Sequence, residues 1–385
     1  MTSTNSTRFA IIGGGIAGAS LAYRLAEALG SGKDIKVFER EDRPGYHSTG
    51  RSAAVYTETY GPPIIRALTA GSRHFFDHPP KGFAAHELLH PLGLLLAGTE
   101  DARTQAEKIY ADCRALTPNV SFLEGTAISD LVPVLKPEWT AVGVLEPDAM
   151  SMDVAALHEG YLRGFKEMDG KIIIDAEIMG IERSSHGWKL DTKAGQWTAE
   201  IVINAAGAWA DEVATLAQLS PLGLIPKRRT AIVFQAPDDL PETGWPMVND
   251  VQETFYFKPD AGRILASPEE ETPMPPCDVQ PDELDIAITV DRLQTATTFD
   301  IKRIDNSWAG LRSFFSDGVP CAGFDAAQDN FFWLAGQGGY GITTSDALAR
   351  LSVSILLGQE IPGDLNDIGV NAAELDPGRF IPPSA

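Results

Sequence analysis

The sequence predicts an α/β protein in which a domain built on a parallel sheet is interrupted by an α+β domain built on an antiparallel sheet. Three observations predict this fold class. A glycine turn joins a strand to a helix near the N-terminus, four β-rich runs lead into a second small-residue turn near the middle, and longer strands with more prolines begin at Pro221. At 385 residues with 44% hydrophobic composition, the chain is long enough for two or three domains.

The N-terminal element is a strand–turn–helix–strand unit. A short apolar strand, RFAII, leads into Gly13-Gly-Gly15-Ile-Ala-Gly18, a helical run and a second strand that ends at Glu39. This order is typical of the Rossmann dinucleotide-binding unit, in which Gly13 permits the tight turn and Gly15 lets the backbone approach a pyrophosphate at the helix N-terminus. Gly18 then allows close helix–strand packing, and Glu39 accepts from ribose hydroxyls. The unit alone does not distinguish NAD from FAD.

The loop after Glu39, from Arg43 to Gly61, reads RPGYHSTGRSAAVYTETYG and does not lead promptly to another helix. Its composition suits a backbone that lies against a flat ligand, and it equally suits an ordinary surface loop. The small and hydroxyl residues that could face a ligand are Ser48, Thr49, Gly50, Ser52, Ala53 and Ala54.

The middle of the chain alternates helix and strand signals. Asp153 is expected to cap a helix, VAALHEGYLRGFKEM, and four β-rich runs follow before NAAGAWADEVATLA. The small residues there allow either close approach to a ligand or tight strand–helix packing at Gly207. PKRRTAIVF and TFYFKPDAGRILAS predict antiparallel strands. We expect a discontinuous nucleotide-binding domain in residues 1–85, 147–220 and 318–385, and a substrate-binding domain in residues 86–146 and 221–317.

A second GxGxxG spacing occurs in FFWLAGQGGYGITTSDALARL, at Gly336, Gly338 and Gly341. A second dinucleotide unit would need another strand that ends in an acid about 20 residues later. The following TTSDALARLSVSILLG is one helical run, so we predict a glycine turn that starts a helix. A nicotinamide-dependent dehydrogenase is disfavoured because only one complete unit is present.

Composition and the remaining motifs exclude several classes of protein. The net charge of −22 disfavours nucleic acid and anionic lipid as partners, and no apolar run is long enough to span a membrane. Three scattered cysteines and the lack of a secretory signal indicate a reducing cytoplasm. His86-Glu-Leu-Leu-His90 matches the HExxH zinc signature, but Pro91 would end any helix there, so we predict no metal site.

Taken together, several motifs carry a family resemblance. GGGIAGASLAYRLA, RPGYHSTGRSAA, VINAAGAWAD, PKRRTA, FYFKPDAG, WAGLRSF and AGQGGYGI resemble the FAD-dependent D-amino acid oxidase (DAO) family, and most of all the bacterial D-arginine dehydrogenase type, from about residue 8 to about residue 375. The resemblance implies one non-covalent FAD that uses both glycine turns, the first at its ADP end and the second at its reactive end. It implies cofactor contacts from Gly13, Gly15, Ile16, Ala17, Gly18, Glu39, Arg40, His47, Ser48, Thr49, Gly50, Ser52, Ala53, Ala54, Ala206, Gly207, Trp209, Arg312, Gly338, Gly339, Tyr340, Gly341, Ile342 and Thr343.

The resemblance also implies a substrate site. Arginine matches a carboxylate with its planar fork, and Arg229 and Arg312 stand in otherwise apolar strand-like runs. Strand alternation puts Arg228 and Arg229 on opposite faces, and the resemblance selects Arg229 as the inward one. Tyr60 and Tyr256 would flank the substrate carboxylate. Gly339 would offer its carbonyl to the amine, and no histidine base is required.

Three departures from the family bear on the substrate. Leu94 stands where arginine-oxidising relatives carry an acid, Val55 replaces a histidine and Thr343 replaces a glutamine. Without a nearby acid, a cationic side chain would be buried unpaired, so we expect FAD-dependent oxidative deamination of D-amino acids with neutral, apolar side chains. Oxidation of N-substituted or cyclic amino acids and a flavin-binding protein without turnover stay as alternatives. The electron acceptor (oxygen, a quinone or another) and the oligomeric state are left open.

Overall fold

The computed structural model describes residues 5–185, 187–236 and 245–380. Its helices are α1 (Ile16–Leu29), α2 (Pro63–Asp77), α3 (Arg103–Arg114), α4 (Thr126–Leu131), α5 (Val154–Glu167), α6 (Ala210–Leu216), α7 (Glu283–Ala296), α8 (Ser345–Leu357) and α9 (Gly363–Asp367). Its strands are β1 (Asn5–Ile12), β2 (Ile35–Phe38), β3 (Val55–Tyr56), β4 (Leu89–Pro91), β5 (Leu94–Gly98), β6 (Ser121–Leu123), β7 (Val142–Glu146), β8 (Met150–Met152), β9 (Lys171–Ile173), β10 (Ile178–Ser184), β11 (Gly187–Thr192), β12 (Gly195–Asn204), β13 (Ile225–Gln235), β14 (Met247–Asp250), β15 (Tyr256–Asp260), β16 (Arg263–Ser267), β17 (Thr272–Pro273), β18 (Asn306–Phe314), β19 (Cys321–Asp325) and β20 (Gln328–Ala335).

The first sheet has a parallel centre. β1 pairs in parallel with β2 and β12, β2 with β9, and β12 with β20. The antiparallel strands β10 and β11 extend it beside β12, and β19 pairs with β20. Helices α1, α5 and α8 pack together on one side of the sheet. Because β1, β2, β12 and β20 run in the same direction, the turns that follow them all lie at one edge of the sheet, where ligands bind in open α/β sheets.

The second sheet is mainly antiparallel. Its order is β17-β13-β16-β15-β14-β5-β7-β6, and β18 also pairs with β13; β14 and β5 form its parallel pair. The paired strands β15 and β16 confirm the hairpin expected from TFYFKPDAGRILAS. A small third sheet, β3-β8-β4, joins strands from segments that the sequence analysis assigned to both domains. The exact domain boundaries therefore stay a prediction.

Local predictions about helices are confirmed. Asp153 caps α5, since its carboxylate accepts a hydrogen bond of 2.9 Å from the backbone nitrogen of Ala156. The chain after Gly341 forms α8 without another strand, although the helix begins only at Ser345. His86 lies outside any helix and His90 lies in β4, so the two histidines do not share a helix face. Within the described ranges, no cluster of three potential metal ligands and no helix suited to crossing a membrane is found.

Candidate active site

Three cavities adjoin one another in a row that leads from the edge of the first sheet to the second sheet. The first, of about 170 Å³, lies where β1, β2 and β12 end and is lined in part by Gly13, Glu39 and Trp209. The second, of about 140 Å³, contains residues 337–339 of the second glycine turn in its lining. It shares with the first cavity the lining residues Gly15, Ser48, Thr49, Ala205, Gly207 and Ala208. The two cavities thus form one elongated site that touches both glycine turns.

The third cavity, of about 460 Å³, continues from the second into the antiparallel sheet. The residues common to both are Ser52, Ala53, Tyr256, Arg312, Gly339 and Ile342. A flat ring bound in the second cavity would therefore form part of the border of the third. This arrangement suits a cofactor that spans the first two cavities and a substrate that occupies the last.

The first glycine turn owes its shape to close backbone packing. Gly13 has a φ of +106°, and a Cβ there would lie 2.4 Å from the carbonyl oxygen of Ala205. A Cβ on Gly18 would lie 2.0 Å from the Gly13 carbonyl oxygen, so this position accepts no side chain. The backbone nitrogen of Gly14 donates to Glu39 Oε2 at 3.0 Å. Burial raises the pKa of Glu39, while its backbone hydrogen bonds oppose that shift.

The predicted cofactor residues are largely brought together. All of them except Gly18 and Gly50 line at least one of the three cavities. The backbone nitrogen of Gly50 donates to the Gly45 carbonyl at 2.8 Å and closes a turn within the loop, so the ligand contact expected of Gly50 stays a prediction. His47 borders the first cavity, shares a 2.9 Å hydrogen bond with Glu41 and packs on Trp209.

The two arginines predicted to clamp a carboxylate have different surroundings. Arg229 lies in the second cavity with its side chain 10% exposed, and burial, with the nearby Arg312, lowers its pKa. Arg228 points to the other face and pairs with Asp285 at 2.7 Å, so the predicted alternation is confirmed. Arg312 borders the second and third cavities, and its side chain makes no hydrogen bond or ion pair with any other described residue. Its guanidinium is therefore available to an anionic ligand.

Tyr256 is buried between the second and third cavities, whereas Tyr60 is 47% exposed and lies at the border of the third. The Tyr60 ring packs against Tyr340, with 5.2 Å between ring centroids. A Cβ added to Gly339 would lie 3.2 Å from Arg312 Nη1, so a glycine lets the backbone pass close to this guanidinium. Both tyrosines and Gly339 thus adjoin the unpaired arginine.

One wall of the third cavity is apolar. Val55, Leu94, Met247 and Tyr256 belong to one hydrophobic cluster that borders the cavity. The lining continues through Leu96, Ile109, Cys113 and Val251. Thr343 also lines this cavity, and its hydroxyl donates a hydrogen bond of 3.1 Å to the Tyr340 carbonyl. Thr343 therefore contributes to the lining a methyl group and a hydroxyl that already has a hydrogen-bond partner.

The third cavity also contains a largely buried acid from another part of the chain. Glu269 borders the same cavity, has a side chain that is 10% exposed, and lies 3.6 Å from Arg229 Nη1. Burial raises its pKa to about 7, although Arg229 and Arg312 act in the opposite direction. The sequence analysis gave Glu269 no role. It also missed Asn249 and Arg66 in the third cavity, Arg51 and Gln337 in the second, and Glu177 in the first.

Comparisons with known proteins identify the family of this chain. The family model described as FAD dependent oxidoreductase (DAO) matches residues 8–355. Human mitochondrial dimethylglycine dehydrogenase is 24% identical over 391 residues, which cover 96% of this chain and 44% of the relative. This chain thus spans less than half the length of that relative. Glycine oxidase of Geobacillus kaustophilus is 24% identical over 380 residues, which cover 92% of this chain and 94% of the relative.

Solved structures show the same fold. The crystal structure of Geobacillus kaustophilus glycine oxidase has a TM-score of 0.80 at 21% identity, covering 96% of this chain and 99% of that one. The crystal structure of iminodiacetate oxidase from Chelativorans sp. BNC1 has a TM-score of 0.78 at 20% identity, with the same coverage of the two chains. These matches confirm the predicted family and fold class and do not extend to the finer resemblance to D-arginine dehydrogenases.

The residues present fit FAD. The Gly13–Gly18 turn is a cradle that side chains would fill, the buried Glu39 carboxylate lies beside it, and the adjoining cavities give an elongated site. Gly13, Gly15 and Glu39 would hold the ADP half, and the 338–341 turn would face the flavin half.

We expect Gly18→Ala to abolish stable FAD binding, because the added methyl group would displace the Gly13 carbonyl and open the cradle. The purified variant should carry less than about a tenth of the wild-type flavin absorbance per polypeptide, from a loss of at least 1.4 kcal/mol in binding. Gly363→Ala is the control, since no atom lies within 4 Å of a Cβ at that position. Equal flavin content in both variants would contradict this account of the turn.

The raised pKa of Glu269 predicts a pH-dependent effect on stability. A carboxyl group whose pKa rises from 4.5 in the unfolded chain to about 7 in the folded one stabilises the fold below pH 4.5 and loses that contribution as pH rises through 7. Charged neighbours that face it are Arg229, Arg312, Glu253 and Asp250. At pH 8, Glu269→Gln should therefore have a free energy of unfolding up to about 3 kcal/mol above that of the wild type and should unfold at a higher temperature. This advantage should shrink towards pH 5. Thermal unfolding at both pH values checks this, and an advantage that grows as pH falls would refute it.

Proposed function

Because the chain belongs to the FAD dependent oxidoreductase family, we propose that it oxidises amino acids whose nitrogen carries a substituent. The substrate would be an N-substituted glycine or a related secondary or tertiary amino acid. This proposal replaces D-amino acids as the first choice. The similar proteins named dimethylglycine dehydrogenase, glycine oxidase and iminodiacetate oxidase act on glycine or N-substituted forms of it, according to their names.

The observation that carries the proposal is the unpaired Arg312. This residue borders both the cavity assigned to the flavin ring and the third cavity, without an internal counterion in direct contact. A guanidinium in such a position favours a carboxylate, which it can hold by two parallel hydrogen bonds. Fixing the carboxylate there would orient the carbon–nitrogen bonds of the substrate at the border with the second cavity.

The chemistry is a two-electron oxidation. FAD, when bound, accepts the hydride that leaves a carbon attached to the amine nitrogen. The nitrogen lone pair becomes the second bond of a C=N group, and water then cleaves that group to a carbonyl compound and a smaller amine. Arg312 holds the carboxylate, Tyr256 closes the apolar side of the site, and the Gly339 backbone lies against the guanidinium.

The size and lining of the third cavity support a substituent. Its volume of about 460 Å³ falls in the range of cavities that enclose whole drug-sized ligands, which is far more than glycine needs. The apolar wall formed by Val55, Leu94 and Met247 would contact an alkyl or aryl group. Burying such a group is worth about 0.8 kcal/mol for each CH₂.

A substrate panel tests the proposed function. The holoprotein, mixed anaerobically with N-alkyl glycines, cyclic imino acids, free glycine and the D- and L-forms of neutral amino acids, should lose its visible flavin absorbance fastest with N-alkyl glycines. Each added methylene should raise kcat/KM by a few-fold until the cavity is filled. Fastest bleaching by D-amino acids would restore the first hypothesis, and no bleaching by any compound would favour a flavin-binding protein without turnover. Readmitting air would separate an oxidase from a dehydrogenase that uses another acceptor.

The carboxylate site predicts a contrast between two arginines. Arg312→Met should lower kcat/KM by about 10²–10³-fold, mostly through KM, because removing one side of a buried charge pair costs several kcal/mol. Arg228→Met is the matched control, since Arg228 points to the opposite face of the sheet and pairs with Asp285. Comparable losses of kcat/KM in the two variants, both with full flavin content, would exclude Arg312 as the carboxylate ligand.

A further inference from the structure

Glu269 lies in a bulge that carries its side chain towards the substrate cavity. Ile232 of β13 pairs with Ala266, whereas Arg228 of the same strand pairs with Thr272. Between these pairs, the segment that joins β16 to β17 contains two more residues than the facing part of β13. Glu269 lies in this bulge with a φ of +55°, a left-handed conformation that is costly for a residue other than glycine. Bulges of this kind redirect a side chain, often beside an active site.

The carboxylate of Glu269 is incompletely paired. Its Oε2 atom is buried and has no hydrogen-bond partner among the described residues. Its Oε1 atom lies 3.5 Å from Asn249 Nδ2, at the limit for a hydrogen bond, and 3.6 Å from Arg229 Nη1. A buried carboxylate oxygen without a donor is costly, so the site favours a ligand that brings a positive charge.

Other acids near this cavity are exposed or satisfied. Asp250 accepts hydrogen bonds from the nitrogen and hydroxyl of Thr254, and Glu253 and Asp112 are exposed. Glu271 also lies near Arg229, at 3.7 Å, but its side chain is 48% exposed and pairs with Lys227 at 2.6 Å. Glu269 is therefore the acid in the described part of this cavity with both burial and an unused oxygen.

We propose that Glu269 recognises the ammonium group of the substrate while Arg312 binds its carboxylate. This inference rests on the proposed function and specifies that its substrate binds as a zwitterion, whose ammonium group releases a proton to water before the nitrogen lone pair forms the C=N bond. Arg229 Nη1 lies 3.6 Å from Glu269 Oε1 and favours the charged carboxylate, in opposition to the larger effect of burial. The pair of opposite charges around one cavity would favour amino acids over simple carboxylic acids and hydroxy acids of the same shape.

Two ligands of equal shape, of which only one carries a positive charge, test whether Glu269 recognises that charge. Trimethylglycine carries a permanent positive charge on nitrogen, and 3,3-dimethylbutyrate has a neutral carbon at the same place. Binding of each to the holoprotein is measured by the change in the flavin absorbance spectrum, which needs no turnover. We expect the wild type to bind trimethylglycine at least roughly tenfold more tightly, and Glu269→Gln to lose this preference. Glu271→Gln, which alters the exposed neighbour of the same arginine, should keep it.

The outcomes separate recognition from a structural role. If Glu269 serves only as the counterion of Arg229, Glu269→Gln will change the affinity for both ligands by the same factor, and the inference is overturned. A wild type that does not distinguish the two ligands overturns it as well. Failure of the proposed function has another signature, namely no reduction of the wild-type flavin by any amino acid or amine in the substrate panel.

Discussion

The structure depends on one constraint, the common direction of β1, β2, β12 and β20 in the first sheet. Parallel pairing brings the carboxyl ends of strands that are far apart in the sequence to one edge. The Gly13–Gly18 turn follows β1 and the 336–341 turn follows β20, so two glycine motifs separated by more than 300 residues border one elongated site. We propose that each motif serves a different part of the same ligand, which would explain why the second lacks the strand and acid of a full dinucleotide unit.

The second sheet completes the site because the loop after β2 is fastened to it. Ser48 donates its hydroxyl to the Leu311 carbonyl at 2.6 Å, and Arg51 Nη1 donates to the Ala309 carbonyl at 2.9 Å. In the other direction, Trp308 Nε1 donates a hydrogen bond of 3.0 Å to the Arg51 carbonyl. These bonds hold β18, and with it Arg312, against the loop that borders the first two cavities. The position of the carboxylate site relative to the cofactor site follows from this connection.

Local signals predicted much of this arrangement from the sequence. The glycine spacing, the apolar strands and the cap at Asp153 each depend on neighbouring residues, and the alternation of Arg228 and Arg229 depends only on strand geometry. Glu269 could not be found in this way, because its place depends on the pairing of β13 with β16 and on two extra residues before β17. The lack of an acid in the sequence around Leu94 therefore did not exclude an acid from elsewhere in the lining of the third cavity. Gly50 shows a related effect of loop geometry, since a turn within its own loop uses its backbone nitrogen.

The central claim is that one FAD passes both glycine turns and that the substrate carboxylate meets Arg312 beside its ring. The most direct measurement is a crystal structure of the holoprotein with bound trimethylglycine. The account predicts the pyrophosphate at the Gly13–Gly18 turn, the flavin ring beside residues 338–341, and the ligand carboxylate on the Arg312 guanidinium. A flavin confined to the first cavity, or a ligand carboxylate bound away from Arg312, would contradict it.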